Sequence, residues 1–173
     1  MCRDLMSYSL WCADELLGDS NLTELQIGSR KVLSGPFQPT PSFAELWPLF
    51  RATQLAQTQL LAEMQDVIAA CTPTDYPERV RSSPGFLAYS AAEGAVAALP
   101  LEVRRSDGSP VADVSARVSE WAIPLAGWSD VERASAEREA TADGYALGGL
   151  FLTVMPSGAY HTAPGEWPPS PAL

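Results

Sequence analysis

The chain has 173 residues, with 21 acidic against 11 basic side chains and a formal net charge of −10. This length predicts one domain with its own hydrophobic core, and 46% hydrophobic with 18% charged residues is typical of a globular protein. No apolar run approaches the roughly 20 residues that span a bilayer, and the surplus of acid argues against binding to nucleic acid or to an anionic membrane.

The cysteines and the N-terminal residues predict a cytoplasmic protein. Cys2, Cys12 and Cys71 are odd in number and widely spaced, which argues against a disulfide framework. Asp4 interrupts the first residues, so no signal peptide is expected. The chain has one histidine, too few for a usual Cys/His zinc site, and we predict neither a metal nor a cofactor. Ten of the eleven basic residues are arginine, which is typical of a GC-rich bacterial genome.

The first forty residues predict β structure. Residues 7–12 fit a short strand, and residues 22–27 alternate between apolar and polar side chains, as a half-buried strand does. Gly28 and Ser29 fit a turn between strands. The segment 34–41 contains three prolines and therefore predicts a stiff loop.

A long helix is predicted over residues 42–71. Ser42 and Glu45 fit a capping box at its start, and an apolar stripe with helical spacing follows. Pro48 lies too deep in this helix to be free of its hydrogen-bond ladder, so a kink or a restart is expected there. Pro73 ends the pattern.

The pattern is weaker between residues 74 and 98. Residues 74–84 are polar and fit a loop with one helical turn. Residues 85–90 predict a strand, and residues 91–98 fit a helix and a strand equally well.

A β-hairpin is predicted from residue 99 to residue 118, because apolar and polar residues alternate on both sides of the turn at 107–110. A two-residue loop would place Glu102 opposite Asp113, two like charges. A four-residue loop pairs Arg104 with Asp113 instead and keeps the proline of the turn out of the ladder. Charge therefore favours the four-residue loop.

Two further elements are predicted towards the C-terminus. A second, polar helix is expected over residues 129–144, since Ser129 begins a capping-box pattern and a glycine follows the last turn. Residues 150–155 are apolar on both sides, which is typical of a central strand.

The order of these elements predicts an α+β fold. We expect an antiparallel sheet of several hairpins, with the long helix packed on one face and a second, short polar helix. Residues 1–162 then form one domain, and the proline-rich residues 163–173 form a flexible C-terminal tail.

Acidic and aromatic side chains are the predicted binding residues. The acids between residues 120 and 143 fit a patch that docks a basic protein, although a solvated helix face with ion pairs explains the same charges. Trp167 lies in a proline-rich tail, where we expect it to dock on its own domain or on a partner. The predicted binding residues are Glu120, Asp130, Glu132, Glu137, Glu139, Trp128 and Trp167.

His161 is the only candidate for acid–base catalysis, because histidine is the residue type that titrates near neutral pH. A nucleophilic pair with Cys71 is not favoured, since Cys71 continues the apolar stripe and the negative end of a helix disfavours a thiolate. The sequence contains no Gly-x-Ser-x-Gly elbow, no P-loop and no Gly-x-Gly-x-x-Gly motif.

The leading hypothesis is a non-enzymatic interaction protein whose acidic surface binds a protein with a basic surface. An inhibitor or immunity-type protein is one concrete form, and a phage or secretion-system accessory protein is another. The alternative is a small-molecule-binding domain or hydrolase-like enzyme, with a pocket lined by Trp47, Trp121 and Tyr160 and with His161 as general base. A third hypothesis is a homo-oligomeric structural component assembled through the helix of residues 48–71.

Overall fold

The structure is a computed structural model that describes residues 6–27, 30–70, 75–120, 131, 134–135, 138 and 149–157. The described residues form an α+β fold, which confirms the predicted class. The strands are β1 (Met6–Cys12), β2 (Glu15–Ile27), β3 (Arg30–Pro39), β4 (Leu101–Arg105), β5 (Val114–Glu120) and β6 (Leu150–Pro156). The helices are α1 (Phe43–Ala70), α2 (Tyr76–Arg81) and α3 (Pro84–Ala97). The chain divides into two compact units, residues 1–44 with 101–173 and residues 45–100.

The sheet has the strand order β4-β1-β2-β3-β6-β5, and every neighbouring pair is antiparallel. β6 lies between β3 and β5, which confirms its prediction as a central strand. β4 and β5 stand at opposite ends of this order, yet they contact each other. The sheet therefore curls until its two end strands meet.

The core of this first unit consists of apolar side chains from the inward face of the curled sheet. Each fully buried leucine or valine contributes roughly 1.5–3 kcal/mol relative to an exposed one. The rings of Phe37 in β3 and Phe43 at the start of α1 pack edge to face, with centroids 5.1 Å apart. The fully buried side chains of the strands are Leu10, Leu17, Leu22, Leu33, Val103, Val118, Leu152 and Val154.

The prediction of a loop over residues 34–41 is wrong, because strand β3 continues through Pro36. The ladder between β2 and β3 skips Pro36, so the missing N–H breaks no pair of that ladder. The hydroxyl of Ser20 donates instead to the carbonyl of Pro36 at 2.8 Å. Gly35 lies so close to β2 that a Cβ there would be 2.0 Å from the carbonyl oxygen of Asn21.

The predicted long helix is confirmed as α1, a 28-residue helix with Pro48 inside it. Its start differs from the prediction. The Ser42 hydroxyl donates to the Glu15 carboxylate at 2.5 Å, and the Phe43 N–H donates to the carbonyl of Thr40 at 3.1 Å. A turn tied to the first residue of β2, rather than the predicted capping box, therefore precedes the helix.

The strand predicted over residues 85–90 is wrong, because these residues belong to α3. Ser83 is the N-cap of this helix, and its hydroxyl accepts a hydrogen bond from the Phe86 N–H at 3.1 Å. Pro84 occupies the first helical position, where its fixed φ suits the helix and no N–H is needed. The strong start signal decides the structure of the ambiguous residues that follow. The single helical turn predicted before it corresponds to α2.

The strands of the predicted hairpin exist, but their pairing is wrong. β4 pairs with β1, and β5 pairs with β6. Between them the chain makes a shorter turn, in which the Val111 N–H donates to the carbonyl of Val103 at 2.8 Å and Arg104 lies opposite Pro110 rather than Asp113. β4 therefore forms its ladder with β1, a strand about ninety residues earlier in the chain.

The C-terminal predictions fall mainly outside the described residues. Within the polar helix predicted over 129–144, the described positions 131, 134–135 and 138 are helical. The tail predicted over 163–173 lies outside the description, and the single domain of residues 1–162 stays a prediction. None of the described helices combines the length and the apolar character needed to cross a bilayer.

Candidate functional site

Four side chains of β1 and β4 form a polar cluster on the outward face of the sheet. Ser9 lies directly opposite Arg104, and Trp11 lies directly opposite Glu102. Paired residues share a face, and positions two apart on one strand share it too, so all four side chains project to the same side. Leu10 points the opposite way and is fully buried. We refer to these four residues as the Trp11–Arg104 cluster.

Contacts within the Trp11–Arg104 cluster fix the orientation of each member. The guanidinium carbon of Arg104 lies 4.4 Å from the centroid of the Trp11 ring, a cation–π contact. The indole N–H donates to the hydroxyl of Ser9 at 2.9 Å. Arg104 forms an ion pair with Glu102 through its Nε. Because this pair uses Nε, the two terminal amino groups of the guanidinium are not engaged by Glu102.

The Arg104 side chain is 26% exposed and the Glu102 side chain is 40% exposed. The guanidinium is therefore packed on one side by an aromatic ring and reached by solvent on another. A fork of terminal amino groups in this position is the part of arginine that binds a carboxylate with two parallel hydrogen bonds.

A groove with a volume of about 350 Å³ opens beside the Trp11–Arg104 cluster. On the outward face its lining includes the Arg104 guanidinium, the Trp11 ring, the Ser9 hydroxyl and the Asp19 carboxylate, so it offers hydrogen-bond donors and acceptors together. The residues that line the groove are Ser7, Tyr8, Ser9, Trp11, Asp19, Arg104, Arg105, Ser106 and Gly108.

A row of polar residues crosses four strands at the groove. Ser9 in β1 has Arg104 as its partner on one side and Asp19 as its partner on the other. Asp19 is in turn opposite Gln38 in β3, and both of these side chains are exposed. With about 5 Å between paired Cβ atoms, the Cβ atoms of Arg104 and Asp19 are roughly 10 Å apart. The row therefore places a guanidinium at one side of the groove and a carboxylate at the other.

Tyr8 and Arg105 line the groove near the turn after β4, although the Tyr8 side chain is buried on the inward face with Leu10. They are direct partners in the β1–β4 pairing. The Arg105 guanidinium donates to the carbonyl of Pro110 at 3.1 Å and to the hydroxyl of Ser109 at 3.3 Å, which braces the turn. Burial raises the pKa of the Tyr8 phenol, and the positive charge of Arg105 partly offsets this. The Tyr8 phenol therefore keeps its proton to a higher pH than an exposed tyrosine does.

Glu120 is the only predicted binding residue within the described part of the chain. It ends β5, is half-buried and pairs with Leu150 of β6. It does not line the groove. The remaining predicted site residues lie outside the described residues: Asp130, Glu132, Glu137, Glu139, Trp128, Trp167 and His161.

The residues predicted to line an alternative ligand pocket also lie mostly outside the part of the chain that the structure describes. Trp47 is half-buried in α1, whereas Trp121 and Tyr160 are not among the described residues. Cys12 is a half-buried free thiol. The described residues contain no group of three or more His, Cys, Asp or Glu side chains placed to hold a metal ion.

Sequence reasoning missed the Trp11–Arg104 cluster, although part of its pattern was visible. Alternation within the predicted hairpin placed Glu102 and Arg104 on one face, and the strand predicted over residues 7–12 contains both Ser9 and Trp11. The missing information was the pairing of β1 with β4, which joins distant parts of the chain.

Comparisons with known proteins give no match: no family model, no curated protein and no solved structure is significantly similar to this chain. The residues of the groove are therefore the basis for assigning a function.

Proposed function

We propose that this protein is a binding protein that recognises another protein through the outward face of β4, β1 and β2. The observation that carries the proposal is the Trp11–Arg104 cluster, an aromatic ring and a guanidinium stacked at a partly exposed surface beside a groove. Tryptophan, tyrosine and arginine are the residue types that dominate the energy of protein interfaces, usually around a pocket that takes a side chain of the partner.

The order within the Trp11–Arg104 cluster supports this proposal. Arginine carries about 2 kcal/mol of side-chain rotamer entropy, part of which is lost whenever it is fixed in an interface. Here the ring of Trp11 and the carboxylate of Glu102 already hold the guanidinium before any partner binds. A surface organised in this way loses less entropy on association.

The net charge of −10 favours a partner with a basic surface. Opposite net charges attract over long distances and raise the rate of encounter, whereas the contacts in the interface determine how long the complex lasts. An inhibitor or immunity-type protein that neutralises a basic partner is one form of this function.

A small-molecule-binding function is the second candidate, because the groove volume of about 350 Å³ lies within the range of small-ligand sites. Native mass spectrometry of the protein purified from its own host distinguishes the two candidates. A small mass that stays bound after desalting supports the second.

The proposal is tested by photo-crosslinking in a lysate of the native host. The crosslinking residue p-benzoylphenylalanine replaces Gln38, which is exposed in the same polar row, or Ala52, which is exposed on α1, as the control position. We expect one adduct of defined mass from position 38 and none from position 52. Trp11→Ala or Arg104→Gln should abolish this adduct, and Arg51→Gln, an exposed arginine on α1, should leave it unchanged.

Equal adducts from both positions, or an adduct that survives Trp11→Ala and Arg104→Gln, would place the interface elsewhere. Once the partner is purified, its association rate should fall steeply with rising ionic strength. A rate that does not depend on salt would contradict a basic partner.

A further inference from the structure

We infer that the groove beside the Trp11–Arg104 cluster accepts a dipolar group, a carboxylate bound by Arg104 together with a cation bound by Asp19. In a protein partner this group is an acidic and a basic side chain presented side by side. The inference rests on the proposed function and names what the docking face recognises.

The negative end of the ligand is set by Arg104. Its guanidinium is held over the Trp11 ring at 4.4 Å, and its Nε is engaged by Glu102. The pair with Glu102 does not use the terminal amino groups, and the side chain is partly exposed. Two parallel N–H···O bonds to a carboxylate use this geometry, and the hydroxyls of the lining add donors beside it.

The charge of the lining favours a monoanion over a dianion. Asp19 lines the same groove, and Glu102 shares the outward face with Arg104. A phosphate carries close to two negative charges and would lie near both carboxylates, so the repulsion offsets much of its attraction to Arg104. A carboxylate carries half this charge.

The positive end of the ligand is set by Asp19. This side chain is exposed, and Ser9 separates it from Arg104 in the polar row. A groove of about 350 Å³ that is equally wide in every direction is about 7 Å across. The Cβ atoms of Arg104 and Asp19 are roughly 10 Å apart. The two charges of the ligand must therefore be several ångströms apart, unlike those of a free α-amino acid.

Recognition of both charges explains how an acidic protein discriminates among cations. A chain with net charge −10 attracts every basic surface, and Asp19 alone would add no selectivity. A ligand without the carboxylate makes no bond to the terminal amino groups of Arg104, and one without the cation faces Asp19 across the groove. Specificity arises because each end rejects ligands that match only the other.

The probe for this inference is 6-aminohexanoate, whose charges are separated by five methylene groups. The reporter is the NMR cross-peak of the Trp11 indole N–H, which donates to Ser9 and is assigned by its loss in Trp11→Phe. We expect a saturable shift with 6-aminohexanoate. Hexanoate, hexylamine and glycine should each bind about tenfold more weakly, since each loses one charge-assisted contact or cannot span both.

Variants then separate the two ends of the site. Asp19→Asn should weaken 6-aminohexanoate about tenfold without weakening hexanoate, and Arg104→Gln should weaken both about tenfold. Asp66→Asn and Arg51→Gln, exposed on α1, are the matched controls and should bind like the parent protein. If Arg104→Gln fails to fold, Arg104→Lys keeps the charge and removes the planar fork, and the same loss is expected.

Three results would overturn the inference: hexanoate binding as well as 6-aminohexanoate, inorganic phosphate binding more tightly than either, or no saturable shift with any probe up to roughly 100 mM. A partner crosslinked at position 38 without binding of 6-aminohexanoate would keep the docking face and reject the dipolar ligand. Binding of 6-aminohexanoate without a crosslinked partner would keep the dipolar ligand site and reject the protein-docking face.

Discussion

The carboxylate of Glu63 in α1 accepts a hydrogen bond from the backbone N–H of Gly85, at the start of α3, with a donor–acceptor distance of 2.7 Å. The other carboxylate oxygen accepts from the side-chain amide of Gln59 at 2.9 Å. The first N–H groups of a helix have no partner within the helix, and its N-terminal end is partly positive. Glu63 thus satisfies one of these groups from a neighbouring helix, while Ser83 satisfies another. The two helices are joined at this point.

Gly85→Ala should destabilise this pair of helices. A Cβ at this buried position would lie 2.4 Å from a carboxylate oxygen of Glu63 and 3.0 Å from the Cα of Leu60, so the hydrogen bond breaks or the helices move apart. We expect a loss of about 1–3 kcal/mol in the free energy of unfolding, measured by urea denaturation with helical circular dichroism as the readout.

Gly94→Ala is the matched control in the same helix. Gly94 is exposed, and nothing lies within 4 Å of a Cβ added there. Because alanine has the higher helix propensity, this variant should be more stable by up to about 1 kcal/mol. A Gly85→Ala variant as stable as the parent would show that the contact between α1 and α3 is looser than described.

The contribution of Glu63 should depend on pH. Hydrogen bonds from Gln59 and from the Gly85 N–H lower the pKa of the Glu63 carboxyl below its ordinary value of 4.5. The folded state therefore favours the ionised form, so the stabilisation is complete above about pH 4.5 and is lost as the pH falls through the lower folded-state pKa. The stability difference between the parent and Glu63→Gln should shrink on acidification, and a difference constant with pH would contradict this.

Tyr8 should make the protein sensitive to alkali. Burial raises the pKa of its phenol above the ordinary value of 10.0. The folded state then holds the proton more tightly than the unfolded chain, so stability is unaffected below about pH 10 and falls as the pH rises towards the folded-state pKa. Tyr8→Phe removes this titration. Its loss of stability above pH 10, measured by urea denaturation, should be smaller than that of the parent.

Gly35→Ala should damage the sheet more than any other glycine substitution proposed here. A Cβ would lie 2.0 Å from the carbonyl oxygen of Asn21, a backbone atom that moves only if β2 moves. We expect a loss above about 3 kcal/mol or a failure to fold, detected as a lower Tm. Gly108→Ala, at an exposed turn position with φ of +84° and open space around it, should cost only about 1 kcal/mol.

Single strands and helices were predictable from the sequence where their own residues carry a clear periodic pattern. The alternation around Val103 correctly predicted β4, and the long apolar stripe correctly predicted α1. The error at α3 arose because the strand-like composition after Gly85 was given more weight than the cap formed by Ser83 and Pro84.

The pairing of strands was less predictable, and the groove depends on it. The charge argument paired Arg104 with Asp113, whereas the structure pairs it with Glu102 on its own strand and stacks it on Trp11. Buried apolar rows decide which strands meet, as where Val103 lies opposite Leu10. Such rows look alike on every strand, so the sequence does not identify the partner.

The curl of the sheet has a consequence for how the chain acquires its structure. β1, β2 and β3 are consecutive and can pair as soon as they are synthesised, but their two outer edges are covered only when β4 and β6 arrive. Closure therefore waits for contacts across more than a hundred residues between β3 and β6, and topologies with such distant pairings fold slowly. During this interval the nascent meander exposes unpaired strand edges, which are templates for aggregation. Synthesis and early folding are thus the stage at which this chain is most exposed to aggregation.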